Sequence, residues 1–320
     1  MHHFLRGIMS KLLCSASAER QKKEEDCYLK NGSAVLEELV ALCNGNCRIP
    51  IRYFSAIEIK NAIDLSAKKI ELDEGYMVTG SLENRMVLIR FSLHSYGVHR
   101  DIAVTAQMSH LKNVLRLVGC SLEFEKPVMV YEYINAKTLD ELLFDKARNS
   151  LLSWENRLRI ANEVASAVVF LHTEFTTPII HRTICPSNVI IDQNSSLAKL
   201  MDFSHSLSLP PGKCQVQDVP VGRIGYVDPE YFQMRKVTQK VDVFSFGVVL
   251  FQLLTGKKVS IVDGKTIPCE ESPDYIDSNI EEGNVMDVVD STILEEHGIE
   301  IRQQLEDYLD LVKKCTTYKG

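Results

Sequence analysis

The spacing of apolar residues changes near Thr138, and this change constrains the fold more than any other feature of the sequence. Between Ile70 and Tyr133, apolar residues come in short runs separated by polar turns, with one helical stretch near residues 102–108. Such runs predict a small sheet that carries one helix. After Thr138 the apolar residues recur at helical spacing. We therefore predict an α+β chain with a small β-rich lobe followed by a larger helical lobe.

The larger lobe is predicted to contain two long helices and a hairpin. Apolar residues within 158–171 share one helical face, and residues 243–254 are almost wholly apolar. Two strand-like pieces, residues 189–191 and 198–203, flank the tight-turn sequence Asp192-Gln193-Asn194. The predicted hairpin therefore lies between the two helices along the chain.

The first residues of the chain are predicted to form a partly helical N-terminal extension. Apolar residues between Phe4 and Leu13 recur at helical spacing and predict a short amphipathic helix. The charged run that follows is expected to leave residues up to position 30 as a frayed or partner-dependent tail. Asn31-Gly32-Ser33 then predicts the start of a helix over residues 34–42. The predicted boundaries are residues 1–48 for the extension and 49–320 for one domain, with its small lobe at residues 53–134 and its larger lobe at residues 135–320.

Composition and charge exclude several classes of function. Hydrophobic residues make up 45% of the 320 residues and charged residues 25%, as in ordinary globular proteins, which excludes fibrous and disordered chains. The 36 basic and 43 acidic residues give a net charge of -7, and the basic ones are dispersed, so nucleic acid is not an expected partner. The most apolar stretch, residues 244–254, is too short to predict a transmembrane segment. Nine scattered cysteines and no signal sequence predict a reducing, cytoplasmic location.

Three short motifs in the second half of the chain resemble those of protein kinases. Residues 181–188, HRTICPSN, resemble the kinase catalytic loop, and Asp202-Phe203-Ser204 resembles the metal-binding Asp-Phe-Gly triplet. Asp228-Pro229-Glu230 stands where kinases carry Ala-Pro-Glu. The order of the motifs, with a hairpin between the first two, extends the resemblance over most of residues 53–315. It implies a two-lobed protein-kinase-like fold.

The sequence resembles one group of these kinases in more detail, the plant receptor-like cytoplasmic kinases. The segments that carry this resemblance are Leu152–Glu155, Leu171-His172, Gly225–Tyr231 and Asp242–Gly247. More narrowly, Asn31–Gly45 and Ile49–Arg52 resemble the pseudokinase branch that works with nucleotide-binding leucine-rich-repeat immune receptors.

The catalytic loop lacks the residues that transfer a proton and neutralise charge. Thr183 follows His181 and Arg182 where an active kinase has its Asp, and a neutral hydroxyl is a poor general base near pH 7. Loss of such a base lowers a rate by about 10² to 10⁴. Cys185 replaces the lysine that faces the transferred phosphoryl group. The catalytic site is therefore predicted to be degenerate, with His181, Arg182 and Asn188 as its remaining parts.

The loop that should cover the phosphates is also altered. Of the three glycine positions only Gly75 is kept, since Ile70 and Leu72 occupy the other two. The loop also carries three carboxylates that would repel a triphosphate, at Glu71, Asp73 and Glu74. An acidic turn at the surface is the alternative interpretation, and both interpretations predict poor phosphate binding.

The lysine that anchors the phosphates is replaced as well. Arg90 falls at its position, although a shift of one residue would place Ile89 there. Arginine keeps the positive charge of lysine but has a different shape. The partner of Arg90 on the predicted helix would be Asp101. The sequence leaves two interpretations open: the two residues form an ion pair, or both are ordinary exposed charges.

Other positions could still contact a nucleotide. Tyr131, Glu132 and Tyr133 lie on the edge that would receive adenine. Asn188 and Asp202 keep the oxygen atoms of two candidate magnesium ligands. We expect no required cofactor, and weak binding of ATP and magnesium is left open.

The stretch that should hold the activation loop, between Ser208 and Thr238, contains no Ser or Thr. Regulation by phosphorylation of this loop is therefore not expected. Glu230 and Asp242 are expected to act as buried polar anchors. The chain ends before the arginine that would pair with Glu230, so we expect an incomplete C-terminal end.

The resemblance implies a catalytically inactive pseudokinase that acts as an adaptor or decoy in plant innate immunity. The implied partners are a nucleotide-binding leucine-rich-repeat immune receptor, related receptor-like cytoplasmic kinases and a pathogen effector enzyme, with any recruitment to the plasma membrane through these partners. Two alternatives are open. One is a slow atypical Ser/Thr protein kinase that uses Asp202 and Asn188, and the other is a nucleotide-sensing scaffold.

Overall fold

A computed structural model describes residues 17–43, 51–63, 69–144, 152–258, 285–298 and 300–317. The amphipathic helix predicted between Phe4 and Leu13 and the C-terminal end of the chain lie outside the described residues. The chain divides into two compact units. Unit 1 comprises residues 1–109 and 116–134, and unit 2 comprises residues 110–115 and 135–320.

Unit 1 contains a six-stranded sheet, as the alternating apolar runs predict. In the order of their positions across the sheet, the strands are β1 (Arg52–Tyr53), β5 (Leu117–Ser121), β6 (Val128–Glu132), β4 (Arg85–Ser92), β3 (Gly75–Leu82) and β2 (Ile70–Leu72). Only the β1–β5 pair is parallel, since all the other pairs in this sheet are antiparallel. Ile59, Val78, Ile89 and Val130 are among the buried residues of its apolar core.

Among the described residues of unit 1, three helices accompany this sheet, α1 (Ser17–Cys43), α2 (Ala56–Ala62) and α3 (Val98–Met108). Helix α2 begins with a capping box, because the Ser55 hydroxyl accepts from the Glu58 amide while the Glu58 carboxylate accepts from the Ser55 amide. Helix α3 includes the helical stretch predicted near residues 102–108, and it begins four residues earlier.

Helix α1 corrects the prediction of a frayed tail for residues 17–30, because one continuous helix runs from Ser17 through Gly32 to Cys43. The part of the predicted tail before Ser17 lies outside the described residues. Long-range contacts hold it within unit 1. The side-chain amide of Asn31 donates to the carbonyl oxygens of Leu122 and Phe124, each at 2.9 Å. The charged run also has a partner on α2, since Glu24 forms an ion pair with Lys60 at 3.1 Å. Polar anchoring far along the chain therefore stabilises a segment whose own sequence is mostly polar.

Unit 2 is mainly helical, and its two long predicted helices are confirmed as α5 (Trp154–Thr173) and α7 (Lys240–Thr255). The hydroxyl of Ser153 caps the start of α5 by accepting from the Asn156 amide. Gly256 ends α7 in the left-handed conformation that glycine adopts readily. The shorter helices in the described part of unit 2 are α4 (Leu139–Phe144), α6 (Pro229–Met234), α8 (Val285–Val288), α9 (Ser291–His297) and α10 (Arg302–Thr316).

Small sheets complete unit 2. The predicted hairpin is confirmed as β9 (Val189–Asp192) and β10 (Ala198–Leu200), which pair in antiparallel register, and β7 (Ala136–Thr138) extends it. Two more strand pairs are antiparallel. They are β8 (Ile179–Ile180) with β11 (Leu207–Ser208), and β12 (Val216–Gln217) with β13 (Lys236–Val237).

A buried arginine on α5 joins distant parts of unit 2. Arg157 donates to the carbonyl oxygen of Leu253 at 2.7 Å and to the carboxylate of Asp290 at 2.6 Å. Its Nε atom also donates to the carbonyl oxygen of Leu152. These contacts satisfy a charge that would be costly to bury alone.

Within the part of the chain that the structure describes, no helix has the length and apolar character needed to cross a membrane.

Candidate functional site

The backbone of the catalytic-loop motif is held in place by Asp242, which lies near the start of α7. One carboxylate oxygen accepts from the backbone amide of His181 and the other from the amide of Arg182, both at 2.8 Å. The carboxylate also contacts His172 Nε2 at 2.8 Å. Asp242 is fully buried, so the predicted anchoring role is confirmed. Such charge-assisted bonds fix the backbone of the loop.

Thr183, at the position predicted for the catalytic Asp, is bonded to the imidazole of His181. His181 Nε2 lies 3.3 Å from the carbonyl oxygen of Met201, which can only accept, so we assign the ring proton to Nε2. Nδ1 then accepts from the Thr183 amide at 3.3 Å and from its hydroxyl at 3.1 Å. The Thr183 hydroxyl proton is therefore used in a hydrogen bond within the loop.

The protonation of His181 agrees with this assignment. Burial lowers the pKa of His181 below its ordinary value, while the negative charges of Asp242 and Asp202 oppose that shift. A neutral imidazole keeps Nδ1 free to accept. The loop thus presents the Thr183 hydroxyl, already bonded to His181, at the position where the resemblance to kinases predicts a carboxylate.

The two candidate magnesium ligands lie in the same unit and have partners within it. Asn188 Nδ2 donates to the carbonyl oxygen of Thr183 at 2.9 Å. One oxygen of Asp202 accepts from the Ser204 hydroxyl at 2.7 Å. Ser204 replaces the glycine of the kinase triplet, and its hydroxyl holds the Asp202 carboxylate in one orientation.

The chemistry of this donor set fits magnesium only in part. Asp202 and Asn188 supply hard oxygen atoms of the kind that Mg²⁺ prefers, but Mg²⁺ usually needs nucleotide phosphates to complete its shell. Among the described residues there is no group of three or more His, Cys, Asp and Glu side chains that could hold a metal ion.

The altered phosphate loop forms a tight hairpin in unit 1. Leu72 pairs with Gly75 across a two-residue turn, Asp73-Glu74. A Cβ atom on Gly75 would lie 2.1 Å from the carbonyl oxygen of Phe91, so packing against β4 requires glycine at this position. The one glycine that the loop keeps is thus explained by the fold without any phosphate.

Arg90 and Asp101 form a buried ion pair, which decides between the two interpretations left open by the sequence. Their side chains are each 2% exposed, and Arg90 Nη1 lies 2.6 Å from Asp101 Oδ2. The Thr105 hydroxyl donates to the other oxygen of Asp101 at 2.9 Å. Ile89 instead packs in the apolar core of the sheet. The guanidinium of Arg90 is therefore engaged by the carboxylate on α3.

The three residues predicted to receive adenine differ in their environments. Tyr131 is fully buried, and its hydroxyl contacts the Met129 sulfur at 3.4 Å. Glu132 forms an ion pair with Arg116 at 3.3 Å, and Tyr133 is exposed. The side chain of Tyr131 thus belongs to the core of unit 1. Adenine binding along this edge stays a prediction.

The expectation that Glu230 is a buried anchor is wrong. Its side chain is 29% exposed and pairs with Lys240 Nζ at 2.6 Å. Lys240 begins α7, so a cation nearby in the chain supplies the partner and the carboxylate keeps contact with solvent. Two tyrosines provide the buried anchoring nearby. The Tyr226 hydroxyl donates to Gln252 Oε1 at 2.8 Å, and that of Tyr231 donates to the Val219 carbonyl oxygen at 2.7 Å.

Two arginine contacts around the catalytic loop were missed by sequence reasoning. Arg182 forms an ion pair with Asp218, and Arg223 donates to the Ser187 hydroxyl. The partners lie 36 residues apart in both cases, and no spacing rule in the sequence predicts such contacts. The available signal was the arginine of the catalytic-loop motif, which needs a negative partner if it is buried.

Comparisons with known proteins agree with this architecture. The sequence matches the protein kinase domain family over residues 90–319. "Non-functional pseudokinase ZED1" of Arabidopsis thaliana is 38% identical over 317 residues, which cover 94% of this chain and 93% of that protein. "Non-functional pseudokinase ZRK2" of the same plant is 34% identical and covers 97% of this chain and 92% of its own length.

A third relative has a different description. "Serine/threonine-protein kinase ZRK1" of Arabidopsis thaliana is 36% identical over 322 residues, which cover 95% of this chain and 90% of that protein. The relatives thus include proteins named as kinases and proteins named as pseudokinases. The chain belongs to the protein kinase family, within the group that contains these Arabidopsis proteins.

Proposed function

We propose that this chain is a catalytically inactive pseudokinase that works as a binding module. The observation that carries the proposal is the contact between Thr183 and His181 in the catalytic loop. The Thr183 hydroxyl lies 3.1 Å from Nδ1 of a buried imidazole whose pKa is lowered by burial. The group at the catalytic position therefore donates a proton to the loop, whereas phosphoryl transfer needs a group that accepts one from the substrate.

Unit 1 supports the same proposal through a different defect. Arg90 is buried against Asp101, and a tight acidic hairpin stands where a glycine loop should enclose the phosphates. Positioning of the phosphates and acceptance of the proton are separate requirements of phosphoryl transfer. Because both are affected, repair of either one alone is not sufficient.

The biological role that we propose is that of an adaptor or decoy in plant innate immunity. Its partners would be a nucleotide-binding leucine-rich-repeat immune receptor, related receptor-like cytoplasmic kinases and a pathogen effector enzyme. The support is the resemblance of the sequence and the two Arabidopsis relatives that are named non-functional pseudokinases. We place the protein in the cytoplasm, with recruitment to the plasma membrane through partners, and we propose that it requires no cofactor.

A phosphotransfer assay tests the loss of catalysis. We expect the full chain, with ATP and magnesium, to phosphorylate itself and a generic substrate no more than an Asp202→Asn variant does. Thr183→Asp alone should not restore activity, because the defects in unit 1 remain. A metal-dependent signal that Asp202→Asn abolishes would overturn the proposal and favour the slow atypical kinase. The relative named as a serine/threonine kinase supports that alternative hypothesis.

Association with a candidate receptor separates the adaptor from the nucleotide-sensing scaffold. Asp202→Ala removes a candidate metal ligand, so it should leave co-precipitation with the receptor unchanged if no nucleotide is needed. Arg90→Ala is unsuitable for this purpose, because it would strand the buried Asp101 carboxylate. If folded Asp202→Ala protein lost the receptor, bound nucleotide would be part of the interface.

A further inference from the structure

We propose that Asp218 takes the place of a phosphorylated side chain and holds residues 205–226, here called the activation segment, docked on the catalytic loop without phosphorylation. In kinases such a segment is ordered when a phosphorylated residue pairs with arginine. In this chain a permanent carboxylate supplies the negative charge. The proposal concerns the conformation of unit 2, and it holds whether or not the chain transfers phosphate.

The first observation is the environment of Arg182. Its side chain is 4% exposed, and Nη1 lies 2.6 Å from Asp218 Oδ2. Nε donates to the carbonyl oxygen of His205 at 2.5 Å. A buried guanidinium is strongly destabilising without a negative partner, so the carboxylate of Asp218 is needed to keep Arg182 in place.

The carboxylate of Asp218 is itself held in position. Its other oxygen, Oδ1, accepts from the Val219 amide at 2.8 Å, and its backbone amide donates to the carbonyl oxygen of Arg235 at 3.0 Å. The Tyr231 hydroxyl donates to the Val219 carbonyl oxygen and accepts from the Val221 amide. The acidic group is therefore presented to Arg182 by a backbone that is fixed on both sides.

A second arginine makes the reciprocal contact, from the activation segment to the catalytic loop. Arg223 donates to the hydroxyl of Ser187. The preceding Gly222 has a φ of +139°, and a Cβ atom there would lie 2.9 Å from the carbonyl oxygen of Arg182. Glycine thus permits the close approach of the two backbones. The segment is joined to the loop at two places by side chains that need no modification.

The sequence provides the complementary observation. Residues 209–237 contain no Ser or Thr that a kinase could modify, and the two tyrosines of this stretch, Tyr226 and Tyr231, are buried. The two serines of the activation segment, Ser206 and Ser208, lie ten or more residues before Asp218. A device based on a permanent carboxylate does not require such a group. The conformation of the activation segment therefore does not depend on phosphorylation.

Hydrogen exchange measured by mass spectrometry tests the proposal on the full chain. In Asp218→Ala we expect amide exchange in residues 205–226 to rise by about tenfold or more, because the buried Arg182 loses its partner. Asp310→Ala, which removes an exposed carboxylate from α10, is the matched control and should change nothing in this segment. Unchanged exchange in Asp218→Ala would overturn the proposal.

Chemical rescue tests whether the carboxylate replaces a phosphate. Inorganic phosphate added to Asp218→Ala should restore protection of residues 205–226 in a saturable way, whereas sodium chloride at equal ionic strength should not. Asp218→Glu should remain protected without added phosphate. If Asp218→Ala does not fold, the same measurements apply to Asp218→Asn, which keeps the shape of the side chain and loses its charge. Failure of phosphate to rescue either variant would overturn the role as a phosphate substitute.

Discussion

The two sides of the catalytic loop differ in what they have kept. On the buried side, Asp242 makes every contact expected of an anchor, with two backbone amides and His172. On the reactive side, Thr183 and Ser204 stand where the resemblance to kinases predicts a carboxylate and a glycine. The comparison teaches that positioning a loop and using it for catalysis are separable properties, because they depend on different side chains.

A physical reason explains why only one side is intact. The anchoring carboxylate satisfies two buried amides, and their loss would leave unpaired polar groups in the interior. Replacement of a reactive group by a hydroxyl leaves no polar group unpaired in the interior, because the Thr183 hydroxyl bonds to His181. The fold therefore requires Asp242 but tolerates Thr183, and the following variants test this difference.

The largest effect is expected from Asp242→Ala. It removes a buried charge together with its bonds to His181 and Arg182, so we expect the free energy of unfolding to fall by about 4–5 kcal/mol. Urea denaturation of the full chain measures this change. A loss of less than about 1 kcal/mol would show that the anchor is dispensable and would remove the contrast between the two sides.

The second largest effect is expected at the buried pair of unit 1. Asp101→Ala leaves the Arg90 guanidinium buried without its carboxylate and should lower the free energy of unfolding by about 3 kcal/mol. The double variant Arg90→Met with Asp101→Leu removes both charges and should be close to the parent in stability. If the double variant were as unstable as Asp101→Ala, the ion pair would add stability beyond the neutralisation of its own two buried charges.

A smaller effect is expected from pH. Because the pKa of His181 is lowered in the folded protein, the unfolded chain binds a proton first as pH falls below about 6.5. Stability should therefore be complete above that pH and should decrease below it, by up to about 1.4 kcal/mol per pH unit, until the pKa of the folded state is reached. Comparison of the stability profiles of the parent and His181→Asn isolates this contribution, and identical slopes would contradict it.

The smallest effect is expected on the reactive side. Thr183→Val keeps the shape of the side chain and removes one hydrogen bond, while the Thr183 amide continues to donate to His181. The free energy of unfolding should fall by no more than about 1.5 kcal/mol. A loss as large as that of Asp242→Ala would mean that the threonine is itself an anchor.

The long helices and the hairpin of unit 2 could be predicted because their signals are local. The apolar face of α5 and the cap at Ser153 lie within one stretch of sequence, and so does the turn between β9 and β10. The first half of α1 could not be predicted, since its stabilising partners are Lys60 and the carbonyl groups near residues 122–124. Its own sequence has little apolar periodicity.

In the site, the sequence predicted which chemical groups are replaced but not what the replacements contact. The sequence shows directly that threonine occupies position 183, where an Asp is predicted. The hydrogen bond from Thr183 to His181 depends on the tautomer of a buried ring, which the sequence does not show. The contact of Glu230 with Lys240, ten residues away, was likewise not predicted. Contacts of this kind are decided by backbone geometry, which a single sequence does not encode in its spacing.

The ion pair between Arg157 and Asp290 has a consequence for the timing of synthesis. The two residues are 133 positions apart, and at about 5–20 residues per second the ribosome needs roughly 7–27 s to pass from one to the other. During this interval the guanidinium of α5 has no carboxylate from Asp290, so unit 2 cannot complete its buried charge compensation. The nascent chain therefore passes through a period in which the first long helix of unit 2 can exist but cannot reach its native environment.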